Sequence, residues 1–453
     1  MKALLLGVSA GVLLLGASQI PALADDSPSQ GSSSTVGALP GDLAPQLAYM
    51  QNGQVSVTQA VRVLRMATGL EKPSATDVAA LDLYPAPFKQ AWQPLSSMPV
   101  AGSFVAQGHT AMGDGQLTAG DAVQVLTRAM GISFLDAAPV MRVKTIAGGS
   151  FGFADGPAEV SRFNGPVGVA VDADGILYVA DRDNYRVRKV LKDGTVVTLA
   201  GSGTAGAVDG IGDAAQFQRL SGIAVAPSGD IYVTDNHKLR RVSQNGNVVT
   251  VAGNTQGFAE GVGNAALFND PRGLAVDQYG YIYVADCGNN RIRRVTPGYT
   301  VDTLAGNNTA AFLSAPTAVA VDTASNVYIV DMKYNRIRKF SPDGIFITLA
   351  GATTAEFADG TGDTARFYAP QGLAMDANGN LYVADAGNNR IRLVLPNGEV
   401  KTIAGQTGAG YADDVVGSAA KLSFPSGVAV DSSGVVYFTD QANHRLRRLT
   451  AAQ

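Results

Sequence analysis

Cys287 is the only cysteine among 453 residues, so no internal disulfide can form and the fold must rest on packing. It aligns with Ala386 and Arg182 of equivalent segments and has no nearby histidine to activate it, which reads as a filler at a variable turn position. Histidine is nearly as scarce. His109, His237 and His444 are the whole supply, whereas a zinc centre normally takes three nitrogen or sulfur ligands. Excess charge is missing as well. The net charge of −4 gives no electrostatic footprint for nucleic acid, so a nucleic-acid partner is not expected. No apolar run reaches the roughly 20 unbroken residues of a membrane span. The chain also lacks a Ser-His-Asp order, and its one Gly-rich stretch, GSGTAG (Gly201–Gly206), precedes a loop where a phosphate-binding motif would open a helix.

Glycine, by contrast, is plentiful. The 53 glycines exceed the average share of about 7% and show no Gly-X-Y period, which suggests many tight turns between short strands. A chain of 453 residues with 46% apolar content exceeds one compact domain. The first segment, MKALLLGVSAGVLLLGASQIPALADD, has Lys2, an apolar run to Leu15 and Ala22-Leu23-Ala24, the pattern of an export signal over 1–24 cleaved after Ala24. A secreted or periplasmic location follows as the expectation. Residues 25–36 are polar and Ser-rich, a linker with almost nothing to bury.

Residues 37–138 hold a weak duplication. NGQVSVTQAVRVLRMATGL (Asn52–Leu70) aligns with DGQLTAGDAVQVLTRAMGI (Asp114–Ile132), each a Gly turn, a short extended piece and an amphipathic helix ended by glycine. The pair resembles the loop–helix units of dockerins, EF-hand-like calcium modules. An EF-hand loop places oxygen ligands at positions 1, 3, 5, 7, 9 and 12. In the second copy Asp114, the Gln116 carbonyl, Thr118 and Asp121 fill the last four, so calcium is the cofactor this loop would take. Thr110 and Met112 occupy the first two, and a thioether does not serve a hard cation, so the favoured reading is a helical domain that has lost its metal.

From residue 140 to 453 one unit recurs six times, as in GVAVDADGILYVADRDNYRVRKV from Gly168 and GLAMDANGNLYVADAGNNRIRLV from Gly372. The Asp ending the second run falls at 181, 235, 286, 331, 385 and 440, a spacing of 45 to 55 residues. Such periods mean a solenoid or a propeller. Each unit has four short β-rich runs separated by tight turns, hence one four-stranded antiparallel sheet, and six radial sheets make a β-propeller. The first run is apolar almost throughout, as an innermost strand buried on both faces would be. These units resemble the NHL repeat, whose signature is present as Gly-Val/Leu-Ala-Val-Asp, Leu/Ile-Tyr-Val-Ala-Asp and Asn-Asn/Tyr/His-Arg-Ile/Leu-Arg. The expected fold is therefore mainly β: a six-bladed NHL β-propeller closed by an N-terminal strand and preceded by the small α-helical dockerin-like domain. Unit two departs from the pattern, with Ala226 in place of the first Asp.

Three polar sets repeat and should crowd one rim, because the loops after strands two and four of a blade emerge on the same face. The strand-two acids are Asp181, Asp235, Asp286, Asp331, Asp385 and Asp440. The cations opening strand three are Arg186, Lys238, Arg291, Arg336, Arg390 and Arg445. The acids of the loop between blades are Asp155, Asp209, Glu260, Asp359 and, less regularly, Asp413. The functional reading is a loop face that binds a protein, peptide or glycan. The competing architectural reading has each Asp bonding turn amides and its own Arg, and it carries more weight because every blade has the set. The alternative function is a metal-dependent hydrolase or lyase in the central channel, as in related six-bladed propellers. Binding is preferred over catalysis, no cofactor is required, and a monomer is expected.

The strand-four tetrapeptide raises a puzzle. Thr145-Ile-Ala-Gly has no unit before it, and the sixth unit has no copy behind it. Pairing of Met141–Gly148 with Arg445–Thr450 would complete the sixth blade and leave no open edge.

Overall fold

The computed structural model describes residues 141–306, 312–413 and 416–451. The signal 1–24, the linker 25–36 and the dockerin-like segment 37–138, with its calcium candidates Asp114, Gln116, Thr118 and Asp121, lie outside the described residues.

Six antiparallel sheets run in strand order from inside to outside, and their innermost strands contact one another in a closed ring. Those innermost strands are Pro166–Val171, Leu220–Val225, Pro271–Val276, Pro316–Val321, Gly372–Met375 and Pro425–Val430. This is the six-bladed propeller that the repeat spacing predicts. In blades two, three and five a two-residue strand (Gly210–Ile211, Gly261–Val262, Gly360–Thr361) covers the outer edge of the sheet.

Each sheet is built by short-range signals. In blade one the hairpin between strands one and two is closed by Asp172, whose Oδ1 accepts the N–H groups of Asp174 and Ile176 at 3.0 and 2.9 Å. Its Oδ2 accepts the Tyr178 hydroxyl at 3.1 Å. Asp277, Asp322, Asp376 and Asp431 repeat this pattern with Tyr283, Tyr328, Tyr382 and Tyr437. Where Ala226 replaces the Asp, Tyr232 instead lies 3.4 Å from the hydroxyl of Tyr299 in the next blade. That departure of unit two is thereby absorbed.

Packing between blades then sets a glycine in five of the innermost strands, as the third residue in blades one, two, three and six (Gly168, Gly222, Gly273, Gly427) and the first in blade five (Gly372), with Ala318 at this position in blade four. A Cβ on Gly168 would lie 2.7 Å from the Ser221 carbonyl oxygen, and one on Gly427 would lie 2.5 Å from that of Val167. Only glycine lets these backbones approach so closely. Around this ring the blades bury joint apolar clusters; one unites Ala147, Ala429 and Leu446 of blade six with Leu177, Val179 and Val196 of blade one.

The orphan strand closes the ring. Met141–Gly148 pairs antiparallel with Arg445–Ala451, in the register Met141 to Ala451, Val143 to Leu449 and Thr145 to Arg447. A bulge between Thr145 and Ala147 matches the bulge between Thr250 and Ala252 in blade two, so this segment is a fourth strand in full. Met141, Val143 and Ala147 are buried. Deleting residues 141–148 exposes the edge of Arg445–Ala451 and empties these sites. Several kcal/mol of lost burial should lower Tm by roughly 10 °C or more, whereas deleting the Ser-rich 25–36 should leave it unchanged; scanning calorimetry of the two variants checks this, and equal melting temperatures would refute the closure.

Candidate functional site

The polar residues of each blade converge on a buried guanidinium. In blade one Arg188 is fully buried; its Nη1 donates to Asp181 Oδ2 at 2.7 Å and to the Arg162 carbonyl at 3.1 Å, and its Nη2 donates to the Ala154 carbonyl and to Asp155. Asp181 also accepts the N–H of Asn164 and the amide of Asn184, each at 2.8 Å. The arrangement recurs with Arg240 and Asp235, Arg293 and Asp286, Arg392 and Asp385, and Arg447 and Asp440, at 2.7 to 3.0 Å. In blade four it loosens: Asp331 lies 3.6 Å from Arg338 and 3.4 Å from Arg336. Burial pushes the Asp181 carboxyl up to about 6 against the pull of Asn184 and Arg188. Burial likewise raises Asp286, Asp331, Asp385 and Asp440.

The strand-two acids therefore point into the blades, and outside blade four their partner is the second basic residue of strand three. The sequence reading paired them with the first. The available signal was that this second position is Arg in all six copies, while the first admits Lys238.

The other two polar sets do meet on the loop face. Asp155, Asp209, Asp359 and Asp413 are half-exposed and pair with the buried Arg of their blade. Each also accepts the N–H and hydroxyl of the Thr in the strand-four tetrapeptide, as Asp209 does from Thr250; Glu260 accepts the Thr303 N–H. Burial raises the Asp209 carboxyl, but the Thr250 and Arg240 bonds outweigh it and hold it below the usual range. The cation opening strand three carries an aromatic ring from the adjacent loop. Arg186 lies on Phe153, Arg291 on Phe258, Arg390 on Phe357 and Arg445 on Tyr411, at 3.6 to 4.1 Å from the ring centres. In blade two, Lys238 stands in the cation position and Ala207 in the aromatic position, so both partners of the stack are replaced together. Arg336 lies over Tyr334.

The two propeller histidines latch neighbouring blades. Asn290, Asn335 and Asn389, in left-handed backbone before strand three, accept the N–H groups of Ala315, Ala369 and Phe424 in the next blade. His444 does the same for Gly165 through Nδ1 at 3.1 Å, and His237 for Asp270 at 3.3 Å. Burial holds the His444 imidazole below its usual range.

Inside the rim the innermost strands surround a channel cavity of about 340 Å³. Start of strand one lies beside the end of strand two, as Pro166 does beside Asp181, so the mouth at the strand starts shares the face of the loops described above. The lining there includes Arg182, Arg219, Asp270 and Arg272 from blades one to three, and Gln371, Phe424, Ser426 and Gln441 from blades five and six. Asp270 accepts from Arg219 at 2.9 Å and from Arg272 at 3.2 Å. A catalytic metal in this channel would need several histidine or carboxylate ligands. The lining offers a single carboxylate already held by two guanidiniums, and no three His, Cys, Asp or Glu side chains cluster among the described residues. The donor set does not fit a metal. Cys287, buried beside this mouth with its thiol pushed up by burial, is likewise unsuited to nucleophilic chemistry.

Comparison with known proteins agrees with the architecture. The NHL repeat family matches residues 163–190 and 422–449, and the SMP-30/Gluconolactonase/LRE-like region matches residues 208–407. The chain is 28% identical to NHL repeat-containing protein 2 of Gallus gallus over 67% of this chain and 41% of that protein. It is 26% identical to Teneurin-4 of Homo sapiens over 53% of this chain and 8% of that protein. It thus spans less than half the length of either relative. Two solved auxiliary nutrient binding proteins superpose with a TM-score of 0.55. That from Bacteroides thetaiotaomicron is 16% identical over 69% of this chain and 77% of its own. That from Bacteroides ovatus is 18% identical over 68% and 76%. At such identity the likeness shows the fold alone. The chain carries NHL repeats folded as a six-bladed β-propeller.

Two outcomes follow from the geometry. Arg293→Leu strands the buried Asp286 carboxylate and should cost about 3–5 kcal/mol, while Arg291→Leu loses the Phe258 ring contact and the bond to the Asn289 carbonyl, together about 1–2 kcal/mol; urea unfolding of both checks the order, and equal losses would contradict it. For His444 the unfolded imidazole takes its proton near pH 6.5 and the folded one only at lower pH, so its stabilising contribution is lost as pH falls through that range. His444→Asn keeps an acceptor that does not titrate. The wild type should lose Tm relative to H444N between pH 7 and pH 5; a difference independent of pH would rule this out.

Proposed function

We propose that this is an exported binding protein whose loop face takes a protein, peptide or glycan partner. The observation that carries the reading is where the exposed aromatics lie. Phe151, Phe153, Phe258, Phe312, Phe357, Tyr368, Tyr411 and Phe424 all sit in loops between blades on one face, against Tyr279 alone on the opposite face, among the described residues. Aromatic and arginine side chains are the groups enriched where partners dock, since they offer large rigid area together with polar handles. Stacking on Arg186, Arg291, Arg390 and Arg445 holds four of these rings in place, so little side-chain freedom would be lost on binding. The half-exposed Asp155, Asp209, Glu260 and Asp359 supply acceptors between the rings. The strand-two acids act in this reading as supports of the rim.

Export rests on the N-terminal segment MKALLLGVSAGVLLLGASQIPALADD. A hydrolase or lyase in the channel is the second reading, favoured by the SMP-30/Gluconolactonase/LRE-like match over residues 208–407 and opposed by the channel's donor set.

Screening the full chain against a glycan array and a displayed random-peptide library tests the rim. Ligands so found should lose roughly ten-fold or more in affinity for F258A/F357A, the scale of a hot-spot truncation, and should bind Y279A as they bind the wild type. Ligands lost on Y279A and indifferent to the rim change would place binding on the other face.

A further inference from the structure

We propose that the channel mouth over blades one to three is a binding site for a small organic carboxylate. The inference goes beyond the rim reading and stands on a different observation, the breakdown of repeat symmetry inside the rim. Charged side chains occupy the mouth in blades one to three as Arg182, Arg219, Asp270 and Arg272. The corresponding positions of blades four to six carry no charge: Ala315, Ala369 and Phe424 stand where Arg219 and Asp270 do, Thr317, Gln371 and Ser426 where Arg272 does, and Met332, Ala386 and Gln441 where Arg182 does. A fold built from six like units gives no structural reason for this polarity, because the blades without the charges close equally well.

The charge balance singles out an anion. Every fully buried arginine of the blades meets a buried carboxylate. At the mouth, three guanidiniums face the one carboxylate of Asp270, in a chain whose net charge is −4. Counting Asp183, which pairs with Arg182 at 3.2 Å, still leaves three cations against two anions. Asp270 contacts both Arg219 and Arg272, so two guanidiniums share one carboxylate and the trio keeps a net positive charge. Guanidiniums are planar forks that match an oxyanion, a carboxylate or a phosphate.

The form of the site argues for a small ligand and against phosphate. A cavity of about 340 Å³ is of the size that encloses a compact metabolite. Phosphate sites are typically built from converging backbone N–H groups at helix starts or nests, whereas the strands around this mouth are committed to sheet pairing and close blade contacts. The neutral side from Thr317 to Gln441 would meet the hydroxyl or amide groups of the ligand body, with Phe424 as an apolar wall.

Calorimetric titration of the full chain with tartrate tests the proposal, with its uncharged diamide and inorganic phosphate as controls. Saturable tartrate binding, roughly ten-fold tighter than phosphate and absent for the diamide, is expected. R219Q/R272Q, confirmed folded by an unchanged Tm, should weaken tartrate by roughly ten-fold or more, the worth of a hydrogen bond to a charged group. R182Q gives the same test at a site free of the Asp270 network if the double variant is unstable. The rim variant F258A/F357A should bind tartrate normally, which separates this site from the partner surface. Absence of saturable tartrate binding, tighter binding of phosphate, or undiminished affinity in the folded arginine variants would each overturn the assignment.

Discussion

The buried guanidinium at the heart of each blade is the constraint on which the rest depends. Arg188 and its counterparts have almost no solvent, so each must find its acceptors inside the protein. Arg188 finds them at the end of strand two, at the loop carbonyls, at the loop acid and, through that acid, at the Thr of strand four, and Arg240, Arg392 and Arg447 reach their own loop acids in the same way. One side chain thus joins three strands of a blade to the loop that leads into it. Its Nε is left without a partner in five of the blades, and that residual cost is borne by a network satisfied elsewhere.

This network explains which repeated residues are architectural. The Thr of the tetrapeptide, the acid of the loop between blades, the strand-two Asp and the second basic residue of strand three are bonded parts of one unit. Blade four shows what happens when a part is absent. Its strand-four residue is Thr348, the described part of its entering loop carries no acid, and Arg338 shifts to 3.6 Å from Asp331 while Arg336 moves in at 3.4 Å. The blade still closes, because its strand pairing and apolar cluster remain.

Much of this was legible in the chain. Period, strand count and the misplaced Thr145-Ile-Ala-Gly determine six blades and the closing strand, since a sheet edge left open is costly and only one segment of the right pattern was spare. The direction of side chains was less legible. Arg186 and Arg188 stand two apart on one strand and both can be written as partners of Asp181, so composition alone does not say which is buried and which carries Phe153. The channel mouth was harder still. Repeat alignment draws attention to positions that are constant, whereas Arg182, Arg219, Asp270 and Arg272 stand where the copies differ. Repeated residues build each blade and its rim, whereas the charged residues of the channel mouth are exceptions to the repeat.

The central claim is that the Arg–Asp unit ties each inter-blade loop to its sheet, and native-state hydrogen exchange tests it most directly. The N–H groups of Asn164, Gln218, Asn269, Ser314, Tyr368 and Ser423 lie outside every strand, yet each donates to the Oδ1 of a strand-two Asp at 2.7 to 2.8 Å. If the account holds, these six amides exchange as slowly as the strand amides of their own blades, opening only when the blade opens. Exchange at the rate of free loop amides would show that the loops move independently of the buried pair and would contradict it.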